Sequence, residues 1–188
     1  MSITDADRWN RRYQSLTYDK LNQPRRILVE NQNILPRSGK ALDIACGLGQ
    51  NSRFLLKKGL DVVAVDISIN ALNRLHKSEP EVNAVLADLD SFILPTNYFS
   101  VITNFYYFDA QLFGILSEKL IKGGIIFIES LTENMIDIKP DIEKDHLLKP
   151  GELIFYFNKL AVLYYYEGWL FEENGKQKAV AQLIARKL

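Results

Sequence analysis

The chain has 188 residues, 47% of them hydrophobic, enough to bury a substantial core within one domain. Lysine plus arginine equals aspartate plus glutamate, 23 of each, so no global field draws the protein to nucleic acid or to an anionic membrane. A single cysteine excludes an internal disulfide, and with no basic-then-apolar leader and no apolar run near the roughly 18 residues of a membrane helix, a soluble cytoplasmic protein is the expectation.

The elements alternate along the chain. Asp5 to Tyr13 and Pro24 to Asn33 read as two leading helices, the second with proline in its first turn, forming a helical cap over residues 1–40. That stretch carries eight basic and four acidic side chains, which reads either as a solvated helical surface or as a mild preference for an anionic substrate. Ala41 to Ala45 is a buried strand, Asn51 to Lys58 a helix stopped by Gly59, and Asp61 to Val65 the next strand. Ser68 caps a helix to about Lys77, and Asn83 to Ala87 is a third strand. Phe99 to Thr103 is the fourth, Ala110 to Leu120 a helix, and Ile125 to Ser130 the fifth. Strands separated by helices imply a parallel sheet with right-handed crossovers. The tail differs: Leu160 to Glu167 and Lys176 to Ala185 are consecutive strand-like runs around Glu172-Glu173-Asn174-Gly175, and Asn-Gly signals a hairpin. The expected fold is α/β: a doubly wound, mostly parallel, seven-stranded sheet with an antiparallel C-terminal hairpin, in one domain over residues 1–188.

Two strand ends carry the chemistry. The first closes on Asp43-Ile44-Ala45-Cys46-Gly47-Leu48-Gly49 and the second on Asp66. A tight glycine turn lets backbone N–H groups approach a ligand, and a carboxylate about 20 residues later accepts both hydroxyls of a ribose, so the pair suggests a nucleoside-containing cofactor. A dinucleotide fingerprint would place its third glycine at position 52, where this chain has Ser52, and Asp43 is unusual before such a loop. With a further acid, Asp88, after the third strand, the chain resembles the class I S-adenosylmethionine (SAM)-dependent methyltransferases. It is similar over most of its length to their small tellurite-resistance-type branch, including Trp9-Asn10-Arg11-Arg12-Tyr13 and the late His146-Leu147-Leu148-Lys149-Pro150-Gly151-Glu152-Leu153. It departs from that pattern at Ala45, where the family has glycine.

The resemblance implies a Rossmann-like methyltransferase fold with SAM as cofactor. Ala45, Gly47 and Gly49 would admit the methionine portion to the backbone, with Asn51 opening the next helix, while Asp43 would orient the ammonium, directly or through water. Asp66 would hold the ribose, since an ionised carboxylate has acceptor capacity for two donors. Ile67 would offer an apolar surface to the adenine, and Asp88 with Leu89 would receive its amino group and pack against its ring. Asn104, after the fourth strand, lies where the reactive face should open. Trp9 and Tyr13, four apart on one helical face, read either as core packing or as a cofactor lid.

Methyl transfer needs alignment and exclusion of water more than covalent help. Thiolates and chalcogen oxyanions need no general base; a neutral oxygen or nitrogen acceptor does, and His146, Tyr106 and Tyr107 are the candidate catalytic residues. His146 lies in a polar connection, Lys139 to Gly151, whose length reads as a lid. No cysteine and histidine cluster has metal-ligand spacing, so no metal is expected. The partner is a small-molecule acceptor. The alternatives are a non-catalytic SAM-binding protein and a nicotinamide-dependent oxidoreductase.

Overall fold

A computed structural model describes residues 3–15, 23–171 and 175–188. Seven strands form one sheet in the order β3-β2-β1-β4-β5-β7-β6. They are β1 (Lys40–Ile44), β2 (Asp61–Asp66), β3 (Asn83–Leu86), β4 (Phe99–Phe105), β5 (Leu120–Leu131), β6 (Ala161–Phe171) and β7 (Gln177–Arg186). The first five run parallel, and β7 is antiparallel to both β5 and β6. The hairpin expected at the C-terminus is therefore present as a strand pair, while Glu172, Glu173 and Asn174 of its turn lie outside the described residues.

Helices cover both faces, which is why the central strands are continuous apolar runs with no polar alternation. On one face α2 (Arg26–Glu30), α3 (Gln50–Lys57) and α4 (Ile69–Ser78) pack Ile27, Leu55 and Leu75 over Val62, Val101 and Phe127. On the other, α5 (Ala110–Lys119) and α6 (Glu152–Tyr156) pack Leu112, Phe113 and Leu153 over Leu42, Ile102 and Ile126. Phe113 is fully buried and meets Phe108 edge to face at 5.1 Å between ring centroids. Asp109 starts α5 by accepting from the Leu112 N–H at 2.6 Å.

The first helix, α1 (Ile3–Ser15), docks on α4 through specific polar bonds. Ser68 caps α4 by accepting from the Ala71 N–H at 3.2 Å, and its hydroxyl donates to Asn10 Oδ1 at 2.7 Å. Asn70 donates its side-chain amide to the Asn10 carbonyl at 3.1 Å, and Arg74 donates to the Tyr13 carbonyl at 2.7 Å. Trp9 and Tyr13 stack with centroids 5.7 Å apart.

One local expectation needs correction. The second leading helix is shorter than Pro24 to Asn33: α2 spans five residues, followed by a 3-10 turn at Gln32–Ile34. Arg25 is extended, its N–H donating to Asn51 Oδ1 at 2.9 Å, and the helix starts at Arg26, two residues later than expected. The Lys139 to Gly151 connection is anchored at its end rather than free-standing. Thr132 bridges Leu148, whose N–H donates to the Leu131 carbonyl at 2.9 Å, and Leu147 and Leu148 are buried. The apolar pair of the late motif is thus a structural anchor, and α6 follows at once.

Candidate active site

The carboxyl ends of β1, β2 and β4 open on a cavity of about 870 Å³, within the size range of small-molecule sites. This is where an open parallel sheet binds ligands, beyond its strand ends. The loop from β1 to α3 forms one wall. It runs through left-handed backbone at Ala45 (φ 50°), Gly47 (φ 54°) and Gly49 (φ 74°). Both Gly47 and Gly49 favour glycine on conformation, and a Cβ there would also displace the Tyr13 hydroxyl, at 2.6 Å, and the Leu75 side chain, at 2.4 Å. Ala45 holds the same conformation with a methyl group, a local strain placed at the cavity wall.

Asp66 closes β2 at the floor of the cavity, 5% exposed. Its two oxygens accept separately, Oδ2 from the Gly47 N–H at 2.7 Å and Oδ1 from the Ser68 N–H at 2.8 Å. Burial pushes its pKa up against the pull of these N–H groups. One carboxylate thereby ties the glycine loop to the second strand and still has lone pairs for further donors.

Asp43 lies beneath the same loop. It is buried below the loop, off the cavity wall, and accepts from the Ser52 hydroxyl at 2.6 Å and the Thr103 hydroxyl at 2.8 Å. Burial raises its pKa to about 6, opposed by both hydroxyls. Ser52 thus has a structural reason for standing where a dinucleotide loop carries glycine, and Thr103 is its counterpart across the sheet, in register with Asp43. Neither role was read from the sequence; a hydroxyl in the central strand beside β1 was the available signal.

The remaining expected residues divide. Trp9, Tyr13, Ala45, Gly47, Asn51, Asp66, Ile67, Leu89, Tyr106 and Tyr107 all line the cavity. Gly49 sits just beyond it as the N-cap of α3. Asp88 is off the wall: its carboxylate accepts from the Asp90 N–H at 3.1 Å, the turn arrangement typical of aspartate. Asn104 is also off the wall, fully buried, and both amide atoms lack a hydrogen-bond partner among the described residues. The residue at the open end of β4 is Tyr106, two positions on, held at φ 62° with its N–H donating to the Glu129 carbonyl at 2.7 Å. Burial and the nearby carboxylates of Asp109, Asp88 and Asp5 push the Tyr107 phenol up, so it is suited to donating a hydrogen bond and not to accepting a proton.

His146 occupies an adjoining hollow of about 310 Å³ that shares Trp9, Arg12, Lys139 and Ile142 with the main cavity. Its ring pairs with Glu143 at 3.3 Å, and Glu143 also meets Arg8 of α1 at 3.6 Å. The connection after β5 and the first helix therefore meet over the cavity mouth.

The residues present fit a nucleoside cofactor. The floor offers a buried acceptor at Asp66, the loop offers bare backbone at Gly47, and the buried Gln50 Oε1 on the wall has no partner among the described residues. Comparison with known proteins agrees. Residues 41–120 match the methyltransferase domain family. Over 79 residues the chain is 30% identical to the demethylmenaquinone methyltransferase of Renibacterium salmoninarum, a match covering 42% of this chain and 33% of that protein. The chain thus spans about a third of the length of this curated relative. Among solved structures, TehB from Haemophilus influenzae superposes with a TM-score of 0.74 at 21% identity, over 97% of this chain and 67% of the other. A SAM-dependent methyltransferase from Methanosarcina mazei gives 0.69 at 17% identity, over 88% and 99%. Geranyl diphosphate C-methyltransferase from Streptomyces coelicolor, solved with S-adenosyl-L-homocysteine, gives 0.70 at 11%, over 97% of each chain. Residues 41–120 thus match a methyltransferase domain, and the fold is the one these SAM-dependent methyltransferases share.

Proposed function

We propose that the protein is a cytoplasmic enzyme that transfers the methyl group of SAM to a small-molecule acceptor within one domain. The observation that carries the reading is the pairing of Asp66 with Gly47: a buried carboxylate with spare lone pairs, bonded to the glycine turn of the same cavity. When bound, SAM supplies an electrophilic methyl carbon on a sulfonium. Asp66 accepts the ribose hydroxyls, Ile67 and Leu89 give the adenine apolar walls, and Gly47 and Gly49 keep the loop backbone open to the amino-acid end. Asp43 acts from beneath, by fixing Ser52 at the start of α3 and Thr103 of β4, and contributes negative charge under the loop. Trp9 and Tyr13 close the cavity from α1 and exclude water. Tyr106, Tyr107 and His146 belong to the acceptor side, with Tyr107 as hydrogen-bond donor and His146 as the group able to take a proton from a neutral acceptor.

Two experiments test the reading. Calorimetry is expected to show binding of SAM and S-adenosylhomocysteine and none of NAD; NAD binding without SAM binding refutes it. A screen with radiolabelled SAM against thiol, chalcogen oxyanion, hydroxyl and amine acceptors is expected to find transfer to at least one class. Tight SAM binding with no transfer to any of them makes the protein a SAM-binding module without catalysis.

A further inference from the structure

The two edges of the sheet differ. At one end β3 is four residues long, which gives another strand little to pair with. At the other, β6 runs for 11 residues, Ala161–Phe171, with no lysine, arginine or proline. Val162, Leu163, Tyr164 and Phe171 are exposed apolar side chains along it. Its one charged residue, Glu167, is turned back on its own chain, accepting from the Gly151 N–H at 3.1 Å and from the Tyr165 hydroxyl. The bulge between Val162 and Tyr164 lies near the start and leaves the rest of the strand in unbroken register with β7. Short length, proline and a free charge keep edge strands single, and all three are missing from the central part of β6. The outward peptide groups follow from the register. Ala179 of β7 accepts from the Thr132 N–H at 3.0 Å and donates to Met135 Sδ at 3.2 Å, so it faces β5, and its register partner Trp169 turns its own peptide groups away from β7. By the alternation of an antiparallel pair Tyr165 and Glu167 do the same, and among the described residues nothing bonds to their peptide groups there. The Trp169 carbonyl takes the Tyr166 hydroxyl, at 2.9 Å.

A second copy running antiparallel satisfies these groups, and charge selects its register. Outward residues must oppose outward residues, so Glu167 meets Glu167 of the second copy, or Tyr165 meets Tyr165, or Tyr165 meets Glu167. The first opposes two carboxylates, the second leaves Glu167 opposite the bulge at Leu163, and the third sets each Glu167 against a tyrosine. The two-fold axis of this third register passes through Tyr166, which meets its own copy, and Gly168, without a side chain, makes room for Tyr164 of the second copy. We propose that the protein forms a two-fold dimer by antiparallel pairing of β6 with β6 of a second copy, centred on Tyr166, joining two seven-stranded sheets into one. Such pairing closes on itself and uses up the long edge. At about 40 Å² per residue, the two strands bury about 900 Å² in total, at the low end for specific interfaces, so association in the micromolar range is expected.

Analytical ultracentrifugation of the full chain over about 1–200 µM is expected to show a reversible monomer–dimer equilibrium with no larger species. Tyr166→Lys and Tyr166→Glu each bring like charges together on the axis and should weaken association at least about 10-fold, with melting curves showing that each variant is folded. An equimolar mixture of the two should restore a dimer, which a folding defect would not do. Tyr166→Cys gives an independent readout. Tyr166 directs its peptide groups to β7, so across the axis it forms a non-hydrogen-bonded pair with Cα atoms about 4.5 Å apart, within disulfide range. Mild oxidation should cross-link this variant into dimers and leave Tyr164→Cys monomeric under denaturing conditions, the native Cys46 being buried. A chain that stays monomeric at the highest concentration, or association that continues past the dimer, overturns the proposal. So does a dimer that survives both charged substitutions, a mixture of the two that stays monomeric, or cross-linking of Tyr164→Cys as readily as of Tyr166→Cys.

Discussion

Replacing Asp66 separates its two roles. In Asp66→Ala the Gly47 and Ser68 N–H groups lose acceptors at 2.7 and 2.8 Å. A stranded buried donor costs about 1–3 kcal/mol, and water entering from the adjoining cavity recovers part of it, so a net loss of about 2–3 kcal/mol is expected. For a chain of this size that lowers the melting temperature by roughly 5–10 °C and leaves the protein folded at low temperature. The same substitution removes the acceptor proposed for the ribose, and hydrogen bonds to a charged group contribute about 1.5–3 kcal/mol, so SAM affinity should fall about 10- to 100-fold. Asp66→Asn keeps one oxygen acceptor but turns an NH2 toward the second N–H. It should recover about half of the lost stability and little of the affinity. Circular dichroism melting curves and calorimetry well below the transition measure the two effects separately. An unchanged dissociation constant in folded Asp66→Ala removes Asp66 from the cofactor site, and an unmoved melting temperature refutes its part in anchoring the loop.

Ala45→Gly should stabilise the protein by about 0.5–1 kcal/mol, because relief of a left-handed alanine exceeds the added freedom of the unfolded glycine; a loss of that size in urea unfolding contradicts it. Asp43 has a folded pKa of about 6, above its unfolded value, so its contribution to stability is fully present below about pH 4 and is lost as pH rises through about 6, a change of about 3 kcal/mol. Urea unfolding from pH 4 to 7 should show the stability difference between the unsubstituted protein and Asp43→Asn shrinking over that window and levelling above it; a pH-independent difference refutes the assignment. His146→Ala should slow transfer to an acceptor that must lose a proton, with SAM affinity unchanged and stability within about 0.5 kcal/mol, since the side chain is half exposed. Weakened SAM binding in that variant would move His146 out of the acceptor side.

The parallel sheet and its strand ends were legible in the sequence because each central strand is a short apolar run punctuated by glycine or an acid, and Ala41, Val62 and Val101 carry that signal without tertiary help. Asp66 was legible for the same reason: it ends such a run at the right distance from a glycine turn. Asp43 and Asp88 look equivalent to it in sequence but are not equivalent in space. One is captured by hydroxyls from α3 and β4, which chain order does not encode, and the other by its own turn, an arrangement that Asp88-Leu89-Asp90 allows locally. The N-terminal Trp9 and Tyr13 fitted core and lid alike in the sequence; the bonds of Asn10 to Ser68 and Asn70, which dock α1 on α4 beside the cavity, join residues some 60 positions apart. Arg25 and Lys178 were silent because they are distant in sequence and meet only around Tyr106.

The domain match ends at residue 120, and that boundary has a consequence for the order in which the site is built. The floor of the cavity comes from strands and helices adjacent in the chain. The wall around Tyr106 brings Arg25, from before the first strand, together with Lys178 of β7. Closing such long loops is costly until the sheet exists, so this wall is the last part of the molecule to assemble and the first to open. Amide exchange should therefore be faster around Arg25 and Lys178 than in β1 and β4.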